Sequence, residues 1–248
     1  MSRVIKSCIQ KGKTFTCQRK GPMEGAQSLI AKNITKKFHQ GSKDFEVLRG
    51  ITQEFKQGHS YAIVGVSGSG KSTFMHIIGG LDNPSSGDVA LFGHSLYKNP
   101  QRSDVLNRHI GFVFQFHYLV KELSVLENVM LPGLIAGMPR HTAVSRAMEL
   151  LDFLGMTSKA HSYPTALSGG EQQRVSIVRA MFNKPAFLIA DEPTGNLDEG
   201  NAGQAVNLLL EGCRAWNMAL IVCSHDRYVY EQMETVLRMH QGVLAQEK

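Results

Sequence analysis

The sequence predicts an α/β fold built on a mostly parallel sheet. Three observations point to it: short apolar runs of strand length at 61–64, 110–114, 187–190 and 220–223, helical patterns between them, and a polar or glycine-rich turn closing each run. Strands that alternate with helices favour parallel pairing through crossover helices. In such sheets ligands bind beyond the carboxyl ends of the strands, so the residues that follow each run are where chemistry is expected.

Of the 248 residues 42% are apolar, enough for a sizeable core, and 19% charged residues with eight prolines exclude global disorder. The net charge of +6 is unevenly placed: Arg3, Lys6, Lys11, Lys13, Arg19 and Lys20 face only Glu24 in the first 28 residues. The remaining body is nearly neutral, so the basicity belongs to an extension over 1–27 that reads as a solvated tail rather than a nucleic-acid surface. Met23 offers an alternative start. The tail lacks a signal-peptide apolar core, and no run approaches the 18 apolar residues of a membrane span. Cys8, Cys17, Cys213 and Cys223 form no C-x-x-C pair. Cys223 closes an apolar run and is expected to be a buried, reduced thiol.

The first run leads into Gly65-Val66-Ser67-Gly68-Ser69-Gly70-Lys71-Ser72-Thr73, which matches G-x-x-x-x-G-K-S. The glycines let backbone N–H groups turn inward around phosphate oxygens, Lys71 neutralises the β and γ phosphates, and the Ser72 hydroxyl is a Mg²⁺ ligand. A helix beginning here adds its positive end. G-x-G-x-x-G is absent, so the turn is not a dinucleotide fingerprint. Kinases, GTPases, helicases and transport ATPases all remain open at this point.

The second run ends at Gln115. The segment 116–165 then carries helical patterning and no convincing strand: Ser124 with Glu127 makes a capping box, and Ala143, Val144, Ala147, Met148 and Leu151 form a stripe ending near Gly155. It reads as a helical subdomain inserted into the sheet. Next, Ser168-Gly169-Gly170-Glu171 makes a second capping box, with glycines that leave helix N–H groups accessible to an anion. Val175, Val178 and Phe182 continue that helix, which must stop near Lys184 because Pro185 disfavours helical geometry before it.

The third run ends in Asp191-Glu192, 120 residues after Lys71. Asp191 fits a Mg²⁺-binding acid, and Glu192 is placed to polarise an attacking water. The fourth run leads to Ser224-His225-Asp226; a lone histidine at a strand end is more often structural.

Leu167 to Arg174, read with the phosphate loop and the acidic pair, resembles the ATP-binding-cassette family, whose signature is LSGGQ. The resemblance spans 28–247 and implies a P-loop NTPase with a RecA-like core, a mostly parallel sheet, an antiparallel β region and an inserted helical subdomain. It implies ATP hydrolysis with Mg²⁺. Phe38 matches the aromatic that stacks on adenine, where the family more often has Tyr. Gln115 matches the Q-loop glutamine, which touches Mg²⁺ and the attacking water. Asn196-Leu197-Asp198 matches the D-loop, and His225 matches the switch histidine. In this family the signature of one subunit faces the phosphate loop of another, so Ser168, Gly169, Gly170 and Glu171 imply a homodimer.

Within the family, 76–82, 114–119 and 190–198 resemble the lipoprotein-releasing branch; the last is shared with macrolide-exporter and FtsE-type division cassettes. The resemblance implies a peripheral ATPase on the cytoplasmic face of an inner membrane, touching the membrane through two integral subunits (LolC/LolE-like) and binding no nucleic acid. Phe116, His117, Tyr118 and Leu119 are expected either to contact those subunits or to pack the helical subdomain. An export or division cassette, or a soluble cassette acting on ribosomes or DNA, are the rival readings.

Overall fold

The computed structural model describes residues 27–40 and 43–247; the basic extension with Cys8 and Cys17 lies outside the described residues. Two sheets organise the chain. Strands β1 (Ser28–Gln40), β2 (Lys43–Lys56), β4 (Ser86–Leu91) and β5 (His94–Ser95) form an antiparallel sheet in the order β2-β1-β4-β5. The central sheet runs β10-β9-β3-β8-β7-β6, from β3 (Ser60–Val64), β6 (Ile110–Val113), β7 (Phe187–Asp191), β8 (Ala219–Cys223), β9 (Thr235–His240) and β10 (Val243–Gln246). All its pairings are parallel except β9 with β10.

The period of two along the strands sorts side chains between two cores. Tyr61, Ile63, Phe187, Ile189, Ala219, Ile221 and Cys223 point to the face covered by α1 (Lys71–Ile78) and the antiparallel sheet. Ala62, Val64, Leu188, Ala190, Leu220 and Val222 point to the face covered by α5 (Gly169–Met181) and α6 (Glu199–Trp216). Covered on both faces, these strands carry continuous apolar runs, as buried parallel strands do.

Between β6 and β7 lies a third core, formed by α3 (Val125–Ile135), α4 (Arg140–Phe153) and the outer face of α5. Both helix starts that the sequence marks are full capping boxes, Ser124 with Glu127 and Ser168 with Glu171. Each leaves two N-terminal donors satisfied without a second element. The α5 helix ends at Met181, and Lys184 turns into the left-handed region just before Pro185. Helix α2 (Arg102–His109) leads into β6, and a short α7 (Arg227–Tyr230) follows β8. No helix among the described residues is long and apolar enough to cross a membrane.

Candidate phosphate and cation site

The carboxyl ends of β3, β7 and β8 lie side by side, because β8 pairs with both of its neighbours in parallel register. That order brings the turns after residues 64, 191 and 223 to one edge. The first turn coils around its own lysine: Lys71 Nζ donates to the carbonyls of Gly65 (2.9 Å) and Val66 (3.1 Å). Lys71 is buried, so its charge stands in a low-dielectric loop where it acts strongly on an anion. Gly65 must be glycine: a Cβ there would lie 2.3 Å from the Met239 carbonyl oxygen of β9. Ser69 Oγ is buried in the same loop without a hydrogen-bond partner. A hydroxyl left unsatisfied in a turn of inward N–H groups fits an absent anionic ligand. Val66 at the loop tip is exposed.

Ser72, in the first turn of α1, donates its hydroxyl to Asp191 Oδ1 at 3.1 Å. A hydroxyl and a buried carboxylate so converging are the hard oxygen donors that suit a small divalent cation needing few protein ligands. His76 Nε2 lies 3.7 Å from Asp191 Oδ2, its ring packed against Phe112 and Phe114. His76 stands one helical turn above Ser72, and that i, i+4 spacing was the available sequence signal for its place beside Asp191.

Glu192 departs from the strand that carries it. Its φ of 46° is left-handed, and its N–H is held by the Cys223 carbonyl at 2.9 Å. This costs a residue with a Cβ about 1–2 kcal/mol, and the carboxylate meets His225. Burial, with the charges of Asp191 and Glu192, pushes the Cys223 thiol far above its ordinary range. Cys213 and Cys223 are free thiols.

Gln115 is exposed just past β6, its carbonyl accepting from Asn196 Nδ2 at 3.0 Å and its side chain lying against Gly195. Phe38 is exposed on the antiparallel sheet with Lys36 Nζ 5.0 Å over its ring. The segment after Gln115 splits. His117 bonds Gln173 of α5 (2.6 Å) and Leu119 joins the helical core, whereas Phe116 and Tyr118 are 60% and 63% exposed.

Ser168 to Glu171 stand apart from this cluster: among the described residues no hydrogen bond or ion pair joins them to 65–73. Hydrogen bonds from the Ser168 backbone and hydroxyl hold the Glu171 carboxyl below its ordinary range. Within one chain, then, Lys71, Ser72, Asp191, Glu192 and His225 come together, and of the second glycine-rich turn Ser168 and Gly169 are exposed while Gly170 is buried.

A family model described as ABC transporter matches residues 48–195. The chain is 43% identical over 218 residues to the lipoprotein-releasing system ATP-binding protein LolD of Legionella pneumophila (strain Paris), covering 87% of this chain and 96% of that protein. It is 44% identical over 213 residues to the LolD of Syntrophus aciditrophicus (strain SB), covering 85% and 96%. Among solved structures, it superposes with a TM-score of 0.82 and 33% identity on the ATP-binding cassette MJ0796, described as a dimer in a post-hydrolysis state bound to ADP and Pi. That match covers 89% of this chain and 98% of the other.

Proposed function

The chain belongs to the ABC transporter family as an ATP-binding, ATP-hydrolysing cassette, and on that premise we propose that it powers the release of lipoproteins from an inner membrane. The observation that carries the chemistry is the Ser72–Asp191 contact at 3.1 Å beside the buried Lys71. The likeness to LolD proteins over nearly their full length supports the assignment of the cargo.

In this reading the loop 65–73 wraps the phosphates and Lys71 balances the β and γ charges. Ser72 and Asp191, with Gln115 approaching from its exposed loop, would hold Mg²⁺, which supplies charge neutralisation between those phosphates. Glu192 accepts a proton from the attacking water, and His225 orients the γ-phosphate. Phe38 stacks on the adenine; base–aromatic stacking contributes roughly 1–3 kcal/mol and asks nothing of the base's hydrogen bonds. Ser168, Gly169, Gly170 and Glu171 serve the nucleotide of a second copy, which the exposure of Ser168 and Gly169 supports, so each site is shared by a homodimer. Two integral membrane subunits of the LolC/LolE kind convert closure of that dimer into extraction of the cargo, from the cytoplasmic face and without nucleic acid.

Purification of the chain from detergent-solubilised membranes should bring down two subunits with transmembrane helices. Membrane vesicles holding that assembly should release a lipoprotein to a periplasmic carrier only when ATP is supplied. Recovery of an export or division partner, with no lipoprotein released, would overturn the assignment of cargo.

A further inference from the structure

One side chain is wedged between the starts of α5 and α6. A Cβ built on Gly170 would lie 2.3 Å from Asn201 Oδ1 and 2.5 Å from its Cγ, so the two turns touch with no space for a methyl group. Both ends of the Asn201 amide are used. Its Oδ1 accepts from Arg174 Nη1 at 3.2 Å, and its Nδ2 donates to Asp198 Oδ2 at 2.7 Å. These partners fix the amide's orientation by chemistry: a guanidinium only donates and a carboxylate only accepts. The Asn201 N–H also donates to Asp198 Oδ1 at 2.9 Å, which makes Asp198 the N-cap of α6. Arg174 reaches one turn further to Gln204 Oε1 at 3.1 Å.

Gly170 belongs to the turn 168–171 and Asp198 closes the turn 196–198. Among the described residues no hydrogen bond joins 168–171 to Lys71, Ser72 or Asp191, and 196–198 approaches them only through Asn196 Nδ2, which donates to the Gln115 carbonyl at 3.0 Å. We infer that Asn201 is a positioning residue that locks the turn 168–171 to the turn 196–198, so that both meet a second copy of the chain as one rigid edge. The inference rests on the reading that these turns face a second copy. It assigns the glycine at 170 a cause inside the chain as well as beside the nucleotide: a larger residue would displace the Asn201 amide from its place between Arg174 and Asp198. Losing Asn201 removes the amide that ties the two turns and leaves the Arg174–Gln204 bond one turn further along, so part of their ordering falls to the moment the dimer closes, at an entropic cost.

The test uses the full chain carrying Glu192→Gln, which slows hydrolysis and holds the ATP-bound state. Sedimentation at several protein concentrations with Mg²⁺-ATP measures closure, and calorimetry on dilute chain measures ATP binding by the monomer. Asn201→Ala in this background should bind ATP within about twofold of its parent and require about tenfold more protein to dimerise, the size expected for one lost charge-assisted hydrogen bond. Where Asn201→Ala lowers the unfolding temperature into the assay range, Asn201→Asp carries the test. It retains shape and suits a helix start, yet sets a second carboxylate against Asp198, and the same shift is expected. Dimerisation of a folded variant at the parent's concentration overturns the role of Asn201. Failure of the Glu192→Gln parent itself to dimerise with ATP overturns instead the two-copy reading beneath it.

Discussion

Glu192 and His225 meet across the ends of two neighbouring strands, with Nδ1 3.0 Å from Oε2 and 3.1 Å from Oε1. Glu192 makes this contact from a left-handed backbone, with φ 46°. Glu192 is only 17% exposed in its side chain while His225 is 74% exposed, so the acid is fixed and the imidazole is the accessible member. Glu192→Gln keeps the shape and removes the carboxylate proposed as the base. Turnover should fall at least about 100-fold, the scale of a lost general base, while ATP affinity holds. A phosphate-release assay beside calorimetry checks this, and parent-like turnover would remove Glu192 from its role.

Lys71→Ala removes the one ammonium inside the phosphate loop, where Nζ now donates to two carbonyls of that loop. Breaking a buried charge pair by deleting one partner costs about 3–5 kcal/mol. ATP affinity should therefore drop more than about 100-fold. Calorimetry with ATP decides, and an unchanged dissociation constant refutes the assignment.

The parts legible in the sequence were those written locally. Residues 61–64, 187–190 and 220–223 are buried on both faces and so read as unbroken apolar runs, and both capping boxes spell themselves in four residues. The antiparallel strands stayed hidden in detail. β1 mixes Lys32, Lys36 and Lys37 with its apolar residues and pairs with β2 through three register shifts, which break the period of two. β9 alternates buried and exposed positions at its end and shows no run. The left-handed turn at Glu192 could not be read either, because a hydrogen bond from a strand over 30 positions away sets it. Asn201 was missed for a similar reason: its partners Gly170 and Arg174 are distant in sequence, and asparagine at a helix start reads simply as a cap.

Gly65→Ala tests how firmly the phosphate loop is seated on β9. The methyl group would meet the Met239 backbone carbonyl at 2.3 Å, and the Gly65 φ of 156° adds strain for any L side chain. Backbone cannot yield as a flexible side chain can, so the substitution should lower stability by about 1–3 kcal/mol, in the range of overpacked cores. Thermal unfolding should show it, together with weakened ATP binding. A variant as stable as its parent, with ATP affinity intact, would mean that the loop is not held by this contact.

The cap at Ser168 makes a pH prediction. Hydrogen bonds from Ser168 keep the Glu171 carboxyl below its ordinary value of 4.5. A carboxyl lowered in the folded state contributes stability that is present above its unfolded value and lost as pH falls through the folded one. Glu171→Ala should thus be less stable than its parent at neutral pH, and the gap should narrow below about pH 4. Ser168→Ala should cost about 1 kcal/mol at neutral pH through the lost cap. Chemical denaturation at pH 7 and below pH 4 checks both, and a gap that is constant with pH would show that the carboxylate's charge contributes nothing.

Tyr118 keeps a left-handed φ of 43° while 63% exposed, and Phe116 beside it is 60% exposed. Arg179 of α5 holds this geometry by donating to the carbonyls of Tyr118 (2.7 Å) and His117 (2.9 Å). Strain and two solvated aromatic rings are poor for stability, which points to a role in contact with another subunit. Phe116→Ser and Tyr118→Asn remove apolar surface without opening the core. Their unfolding free energies should stay within about 0.5 kcal/mol of the parent, Tyr118→Asn on the stable side because asparagine tolerates this φ. Recovery of the proposed membrane subunits on purification from detergent should fall steeply for the double variant. If those subunits come down undiminished, the aromatic pair serves the cassette alone and the docking surface lies elsewhere.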